Sequence, residues 1–155
     1  MQGSLSNLAG GVLILLLKPF RVGDYIITAG AEGTVMSIDI FYTRIATTDN
    51  KVVVIPNGTI SNSNVTNTTK QDERMLVLEF TVPLDANIEE VKTEIMKLIE
   101  SNERILHEMN RCVVVDKLTP VNIKMQAKAW TKSEDYWDVK YLLLEQISIV
   151  LQGFR

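Results

Sequence analysis

The sequence is poor in the residues that build metal sites and disulfides, with one cysteine and one histidine among 155 residues. A single cysteine, Cys112, excludes an internal disulfide and a cysteine-rich metal site. His107 lies in a charged stretch without a second histidine, so we expect it to be neither a ligand nor a catalytic group, and we expect no metal or cofactor. Cys112 precedes three valines, which predicts a small buried side chain.

Long hydrophobic runs are also missing. The longest extends from Leu5 to Leu17, and as a helix its 13 residues would reach roughly 20 Å, short of the ~30 Å hydrocarbon core of a bilayer. This segment therefore cannot span a membrane by itself. No charged region precedes it and no small-residue cleavage site follows it, so we expect no signal peptide.

Patterns of catalytic residues are absent as well. No serine lies in a nucleophile-elbow pattern, and no phosphate-loop lysine follows Gly30 and Gly33. The acidic residues Glu134, Asp135 and Asp138 have the chemistry to bind a divalent ion, but carboxylates also favour the start of a helix, and we prefer that interpretation. We therefore expect that the protein is not an enzyme.

The overall composition is that of a folded globular chain, with 46% hydrophobic and 23% charged residues. The net charge of −3 argues against a nucleic-acid surface, which is normally basic. Residues 1–71 carry five basic and four acidic side chains, whereas residues 72–155 carry eleven and fifteen. This split predicts a domain boundary in the polar stretch 61–72.

The N-terminal stretch 2–17 predicts an apolar helix that Pro19 ends, because proline lacks an amide donor and disfavours helix in the preceding residue. It is unusually rich in small residues, namely Gly3, Ser4, Ser6, Ala9, Gly10 and Gly11. Small residues allow helices to approach closely in membranes. A buried core helix of a water-soluble protein is the alternative interpretation.

The stretch 24–56 predicts four short strands, at residues 24–28, 34–40, 42–48 and 52–55. The predicted turns cover 29–33, which includes Gly33, then 49–51, and then 56–58, where Asn57 and Gly58 tolerate positive φ. Short strands with such frequent turns indicate a small barrel or sandwich.

Residues 74–152 predict the element order β-α-β-β-α, a ferredoxin-like arrangement with one strand fewer than usual. The strands are expected at 74–82, 113–118 and 121–130, and Asn87 with Glu90 resembles a capping box for the first helix. The last helix, at 135–152, is apolar nearly all round in its second half, which predicts two buried faces.

Three sequence blocks carry a family resemblance: QGSLSNL at 2–8, KPFRVGD at 18–24 and IPNG at 55–58. In this order and spacing they resemble the small-conductance mechanosensitive channel (MscS-like) family over nearly the whole chain. The resemblance implies an α+β fold, with the C-terminal half of a pore-lining helix at 1–18, an Sm-like β domain at 19–68 and a ferredoxin-like α/β vestibule domain lacking its last strand at 69–155. It implies a tension-gated channel that releases ions and small solutes under osmotic downshock.

The resemblance also implies two groups of functional residues. Gly3 would act as the hinge of the pore helix and Gly10 and Gly11 as close contacts, in a hinge and packing group formed by Gln2, Gly3, Ser6, Asn7, Gly10 and Gly11. Asn7 would hydrogen-bond to the β domain near 56–58. Coupling between helix and β domain, and the turns around it, would rest on Arg21, Gly23, Asp24, Gly33, Pro56, Asn57 and Gly58.

The implied partners are further copies of the chain in a homoheptamer, permeating ions, and membrane lipid through transmembrane helices that this sequence lacks. The implied location is the inner or plasma membrane, with this portion mostly cytoplasmic and without bound nucleic acid. We expect a truncated chain, natural or engineered. The alternative is a soluble Sm-like ring that binds RNA or protein as a scaffold, but RNA requires a basic, aromatic groove and residues 24–60 carry only Arg44 and Lys51 as cations.

Overall fold

The computed structural model describes residues 2–154, with the backbone alone at Gln2, and the chain divides into two compact units between Gln71 and Asp72. The first unit begins with an apolar helix and continues into a five-stranded sheet with one short helix. Its elements are α1 (Gln2–Leu17), β1 (Tyr25–Thr28), β2 (Ala31–Ile38), β3 (Tyr42–Ala46), β4 (Val52–Pro56), α2 (Asn57–Ser61) and β5 (Thr66–Asn67).

The sheet of the first unit has the strand order β4-β3-β2-β1-β5, and its neighbouring strands are antiparallel. The register of β2 shifts between Val35 and Ser37, and such bulges bend and twist a strand. Side chains alternate between the two faces, and the inward ones form a core with two residues from the N-terminal segment. This core contains Ile14, Phe20, Ile26, Val35, Ile45, Ile55 and Ile60.

The second unit is a three-stranded sheet with two helices on one face. Its elements are β6 (Glu73–Val82), α3 (Ile88–Ser101), β7 (Cys112–Leu118), β8 (Ile123–Lys132) and α4 (Tyr136–Leu151), with the antiparallel strand order β6-β8-β7. The strands alternate strictly, so alternate residues of β6 and β8 are buried under the helices. The predicted fold class and the order β-α-β-β-α are confirmed.

The predicted helix start at Asn87 is also confirmed, because its side-chain oxygen accepts the Glu90 N–H at 3.2 Å. Two predictions for this unit are wrong. Cys112 is exposed, because it begins the edge strand β7 on the side away from the helices. Helix α4 buries one face rather than two, leaving the apolar residues Trp137, Tyr141, Leu142 and Ile149 exposed.

Two predicted turns of the first unit also differ from the structure. Gly33 lies within β2, where its side-chain position is taken by the backbone of Ala46 in β3, so close strand approach rather than a turn requires the glycine. Pro56 is the last residue of β4, and Asn57 and Gly58 begin α2 in helical conformation. The polar stretch 61–72 contributes β5, which the sequence did not predict.

Candidate functional site at the junction of the N-terminal helix and the β domain

Helix α1 meets helix α2 through glycines, with almost no side chain between the two backbones. A Cβ added at Gly10 would lie 2.6 Å from the carbonyl carbon and oxygen of Asn57. At Gly11 it would lie 2.5 Å from the carbonyl oxygen of Ile40. Glycine is therefore required at both positions, because a Cβ would collide with backbone that cannot move aside cheaply.

The opposite side of this contact is built in the same way. A Cβ at Gly58 would lie 2.5 Å from the Ser6 hydroxyl oxygen and 2.9 Å from Asn7 Oδ1. The predicted packing residues of α1 are thus brought together with Asn57 and Gly58. They pack against the β domain of their own chain, whereas the sequence-based interpretation assigned Gly10 and Gly11 to contacts between copies of the helix.

A hydrogen bond holds α1 and α2 in register. The Gly58 N–H donates to Asn7 Oδ1 at 3.0 Å, in a half-buried position. Gly58 lies in the first turn of α2, where amide groups lack an intrahelical acceptor, so Asn7 acts as a helix cap supplied from another helix. This is the hydrogen bond that the sequence predicted between Asn7 and the segment 56–58.

Asn57 is fully buried, and all of its polar groups are paired. Its amide donates to the carbonyl oxygens of Asp39 at 2.8 Å and Ile40 at 3.1 Å, and its oxygen accepts the Thr43 hydroxyl at 2.7 Å. Its backbone N–H donates to the Phe41 carbonyl at 2.9 Å. One side chain therefore ties the connection between β2 and β3 to the start of α2, directly beneath α1.

The connection from α1 to β1 is held by a second polar cluster. Asp24 Oδ2 accepts the Arg21 N–H at 3.0 Å and the Asn67 side-chain amide at 2.9 Å, and Asn67 also donates to the Pro19 carbonyl at 3.1 Å. Gly23 lies between them with φ +98°, a conformation that favours glycine. The connection is thus fixed to β5.

The electrostatics of this cluster favour a charged carboxylate. Burial would raise the pKa of Asp24, but hydrogen bonds from Asn67, from the Arg21 backbone and from Thr69, together with the Arg21 charge, outweigh it and hold the pKa below its ordinary value of 3.8. The Asp24 carboxylate is therefore ionised at neutral pH and stabilises the connection.

The other predicted residues are placed apart from the junction. A Cβ at Gly3 would meet nothing within 4 Å, Gly33 lies between β2 and β3, and the side chain of Gln2 is outside the described residues. Sequence reasoning missed Thr43 and Asn67. An inward-facing polar residue in an alternating strand is a signal for Thr43, because buried polar groups are paired; Asn67 lies in a polar stretch without such a signal.

The outer face of α1 is apolar and uncovered. Leu5, Leu16 and Leu17 are 67%, 73% and 74% exposed, and Leu8, Val12, Leu13 and Leu15 are also exposed. A contiguous exposed apolar face of this kind marks an interaction surface. Among the described helices, none is both long and apolar enough to cross a membrane.

The remaining candidates for chemistry have structural partners. Within residues 2–154, no group of three or more histidine, cysteine or acidic residues is arranged to hold a metal ion. Asp135 and Asp138 face Arg104 at 3.7 and 3.5 Å. His107 Nδ1 lies 3.5 Å from Glu100, whose pKa is lowered chiefly by its hydrogen bond from Arg111.

Comparison with known proteins matches both units. The family model described as "Mechanosensitive ion channel, beta-domain" matches residues 3–70, and "Mechanosensitive ion channel MscS, C-terminal" matches residues 76–152. The chain is 35% identical to the small-conductance mechanosensitive channel of Edwardsiella ictaluri over 99% of its own length and 54% of the relative's. It is 37% identical to an uncharacterised MscS family protein of Synechocystis over 95% and 50% of the two lengths.

A solved structure agrees with these sequence matches. The crystal structure of Helicobacter pylori MscS in the closed state superposes with a TM-score of 0.88 and 29% identity, covering 98% of this chain and 60% of that chain. The chain spans about half the length of the curated relatives it matches.

Proposed function

Because the chain belongs to the small-conductance mechanosensitive (MscS-like) channel family, we propose that it is the pore-helix and vestibule portion of a tension-gated ion channel. The channel opens under osmotic downshock and releases ions and small solutes. Residues 1–18 are the C-terminal half of the pore-lining helix, residues 19–68 an Sm-like β domain, and residues 69–155 an α/β vestibule domain.

The observation that carries this proposal is the asymmetry of α1. One side is docked on the β domain through Gly10, Gly11 and the bond between Asn7 and Gly58. The other side presents an uncovered row of leucines. A helix that is fixed to a folded domain on one side and apolar on the other is suited to pack against copies of itself around a pore.

The gating mechanism is a shift between two packed arrangements. Membrane tension favours the state with the larger in-plane area, and α1 changes tilt or position between the two states. The glycine contacts transmit that movement to the β domain, because two backbones in direct contact leave no flexible side chain to absorb it. Gly3 is the hinge, since glycine weakens a helix locally and no neighbouring group obstructs it.

The assembly that this function requires is a homo-oligomer, a heptamer by family resemblance. It lies in the inner or plasma membrane through transmembrane helices outside this sequence, with the present portion mostly cytoplasmic. Ions and small solutes are the permeants, and the protein has neither catalytic activity nor a nucleic-acid partner. The alternative of a soluble Sm-like scaffold is set aside, because the matched relatives are named as mechanosensitive channels.

A chimera tests the proposed function. The segment of the Edwardsiella ictaluri channel that matches this chain is replaced by residues 2–154, and the chimera is expressed in bacteria that lack mechanosensitive channels. We expect it to restore survival of an osmotic downshock, as the unmodified relative should in parallel. A chimera that reaches the membrane and gives no protection would contradict the proposal.

A further inference from the structure

The sheet of the second unit has one face without helices, and this face is basic. We define the open sheet face by the outward residues of β8 and β6, which are Lys124, Gln126, Lys128, Trp130, Lys132, Met75 and Val77. No ion pair joins its three lysines to any acidic residue in the described part of the chain. Met75 and Val77 add an apolar strip that is 41% and 37% exposed.

Helix α4 carries the opposite charge on its uncovered side. We define the outer stripe as Asp138, Leu142, Glu145 and Ile149, which follow one another at helical spacing and therefore lie on one face. Leu142 and Ile149 are 47% and 61% exposed. Asp138 shares Arg104 with Asp135 in an exposed ion pair of little energetic value, and Glu145 has no ion pair among residues 2–154.

The charges on the two surfaces are similarly spaced. Asp138 and Glu145 are seven helical residues apart, about 10 Å along the axis at ~1.5 Å per residue. Lys128 and Lys132 are four strand residues apart, about 13 Å at ~3.3 Å per residue, and a lysine side chain reaches across that difference. Apolar residues lie between and beside the charges on both surfaces.

Within one chain these surfaces cannot meet, because the opposite side of α4 packs on the opposite face of the sheet. We propose that the open sheet face binds the outer stripe of α4 from a second copy of the chain, with Glu145 opposite Lys128. Such a contact is heterologous, and repeated around an axis it closes into a ring. This inference rests on the proposed homo-oligomer and names the surfaces through which its second units associate.

Charge reversal tests the pairing in the full chain, with assembly measured by sedimentation velocity in mild detergent. Lys128→Glu and Glu145→Lys should each weaken self-association at least about tenfold, because each places like charges together in an interface. The double variant Lys128→Glu/Glu145→Lys should recover assembly. Leu142→Glu, which adds an acid within the apolar part of the stripe, should also weaken assembly, and Glu108→Lys, which lies on neither surface, is the control.

The outcomes separate this inference from the proposed function. Assembly of Lys128→Glu at the unmodified level would overturn the interface and leave the oligomer standing. Loss of assembly in Lys128→Glu alone, with Glu145→Lys and Leu142→Glu unaffected, would overturn α4 as the occupant of the open sheet face. An unmodified chain that stays monomeric would overturn the proposed oligomer together with this interface.

Discussion

At the scale of single residues, Asn57 organises the junction between α1 and the β domain. Its side chain is the partner of two carbonyls and one hydroxyl that lie in the connection between β2 and β3 and in β3. Truncating it leaves those buried groups unpaired, and each unpaired buried group costs free energy. The stability of the first unit therefore depends on a residue that sequence patterns assigned to a turn.

We predict that Asn57→Ala lowers the free energy of unfolding of the first unit by about 1–3 kcal/mol, measured by urea denaturation. Asn64→Ala, at an exposed loop position, is the matched control and should change stability by less than about 0.5 kcal/mol. Thr43→Val removes the hydroxyl donor, and its effect should be non-additive with Asn57→Ala. Additive effects, or equal stability of Asn57→Ala and the control, would contradict the role of this network.

Asp24 predicts a dependence of stability on pH. Its pKa in the folded chain lies below the ordinary value of 3.8, so its stabilising effect is complete above about pH 4 and is lost as the pH falls through the lower, folded-state pKa. The stability difference between the unmodified chain and Asp24→Asn should therefore shrink below about pH 4.

Thermal unfolding between pH 7 and pH 2.5 measures this difference. Asn67→Ala removes one of the hydrogen bonds to the carboxylate and should reduce the same effect without abolishing it. A stability difference that stays constant over the whole range would show that the Asp24 carboxylate is not held charged by this cluster.

Residues could be predicted from the sequence only where the pattern or the resemblance specified their partners. The hydrogen bond from Asn7 to the segment 56–58 was predicted, because three short blocks placed both ends in known family positions. Thr43 was missed because its partner, Asn57, was assigned to a turn. Cys112 was predicted buried from its apolar neighbours, but its strand is at the edge of the sheet and the alternation places it outward.

At the scale of elements, the docking of α1 depends on glycine. We predict that Gly10→Ala lowers the free energy of unfolding of the first unit by about 1–3 kcal/mol, because the added methyl group overpacks a contact between two backbones. Gly3→Ala is the matched control, since both glycines lie in the same helix but the added methyl group at Gly3 would meet nothing within 4 Å.

The control should be neutral or stabilising by up to about 1 kcal/mol, because alanine favours helix over glycine. Urea denaturation of the two variants measures both effects. Equal stability of the two variants, or stabilisation of both, would contradict a tight contact between α1 and α2.

Elements with strong periodicity were predictable and short ones were not. Strand β8 and helix α3 have clear alternating and helical patterns and were predicted within one or two residues of their bounds, apart from Val121, which precedes β8 and is exposed. Helix α2 has five residues and β5 has two. Neither is long enough to show a period, and both depend on distant partners in α1 and β1.

At the scale of the whole molecule, the two units present different unsatisfied surfaces. The first exposes the apolar outer face of α1, and the second exposes a basic open sheet face and an acidic outer stripe. The order of elements followed from sequence patterns. Whether an apolar helix face is buried in its own chain or left for a neighbour did not, because both cases have the same hydrophobic pattern, and α4 was assigned wrongly for that reason.

The central claim is that this chain forms the tension-responsive part of a channel. Pressure-clamp recording from membrane patches that contain the chimera with the Edwardsiella ictaluri channel tests it most directly. The account predicts discrete currents whose open probability rises steeply with suction, and a changed gating threshold in the Gly10→Ala chimera but not in Gly3→Ala. An assembled chimera in the membrane that passes no suction-dependent current would contradict the claim.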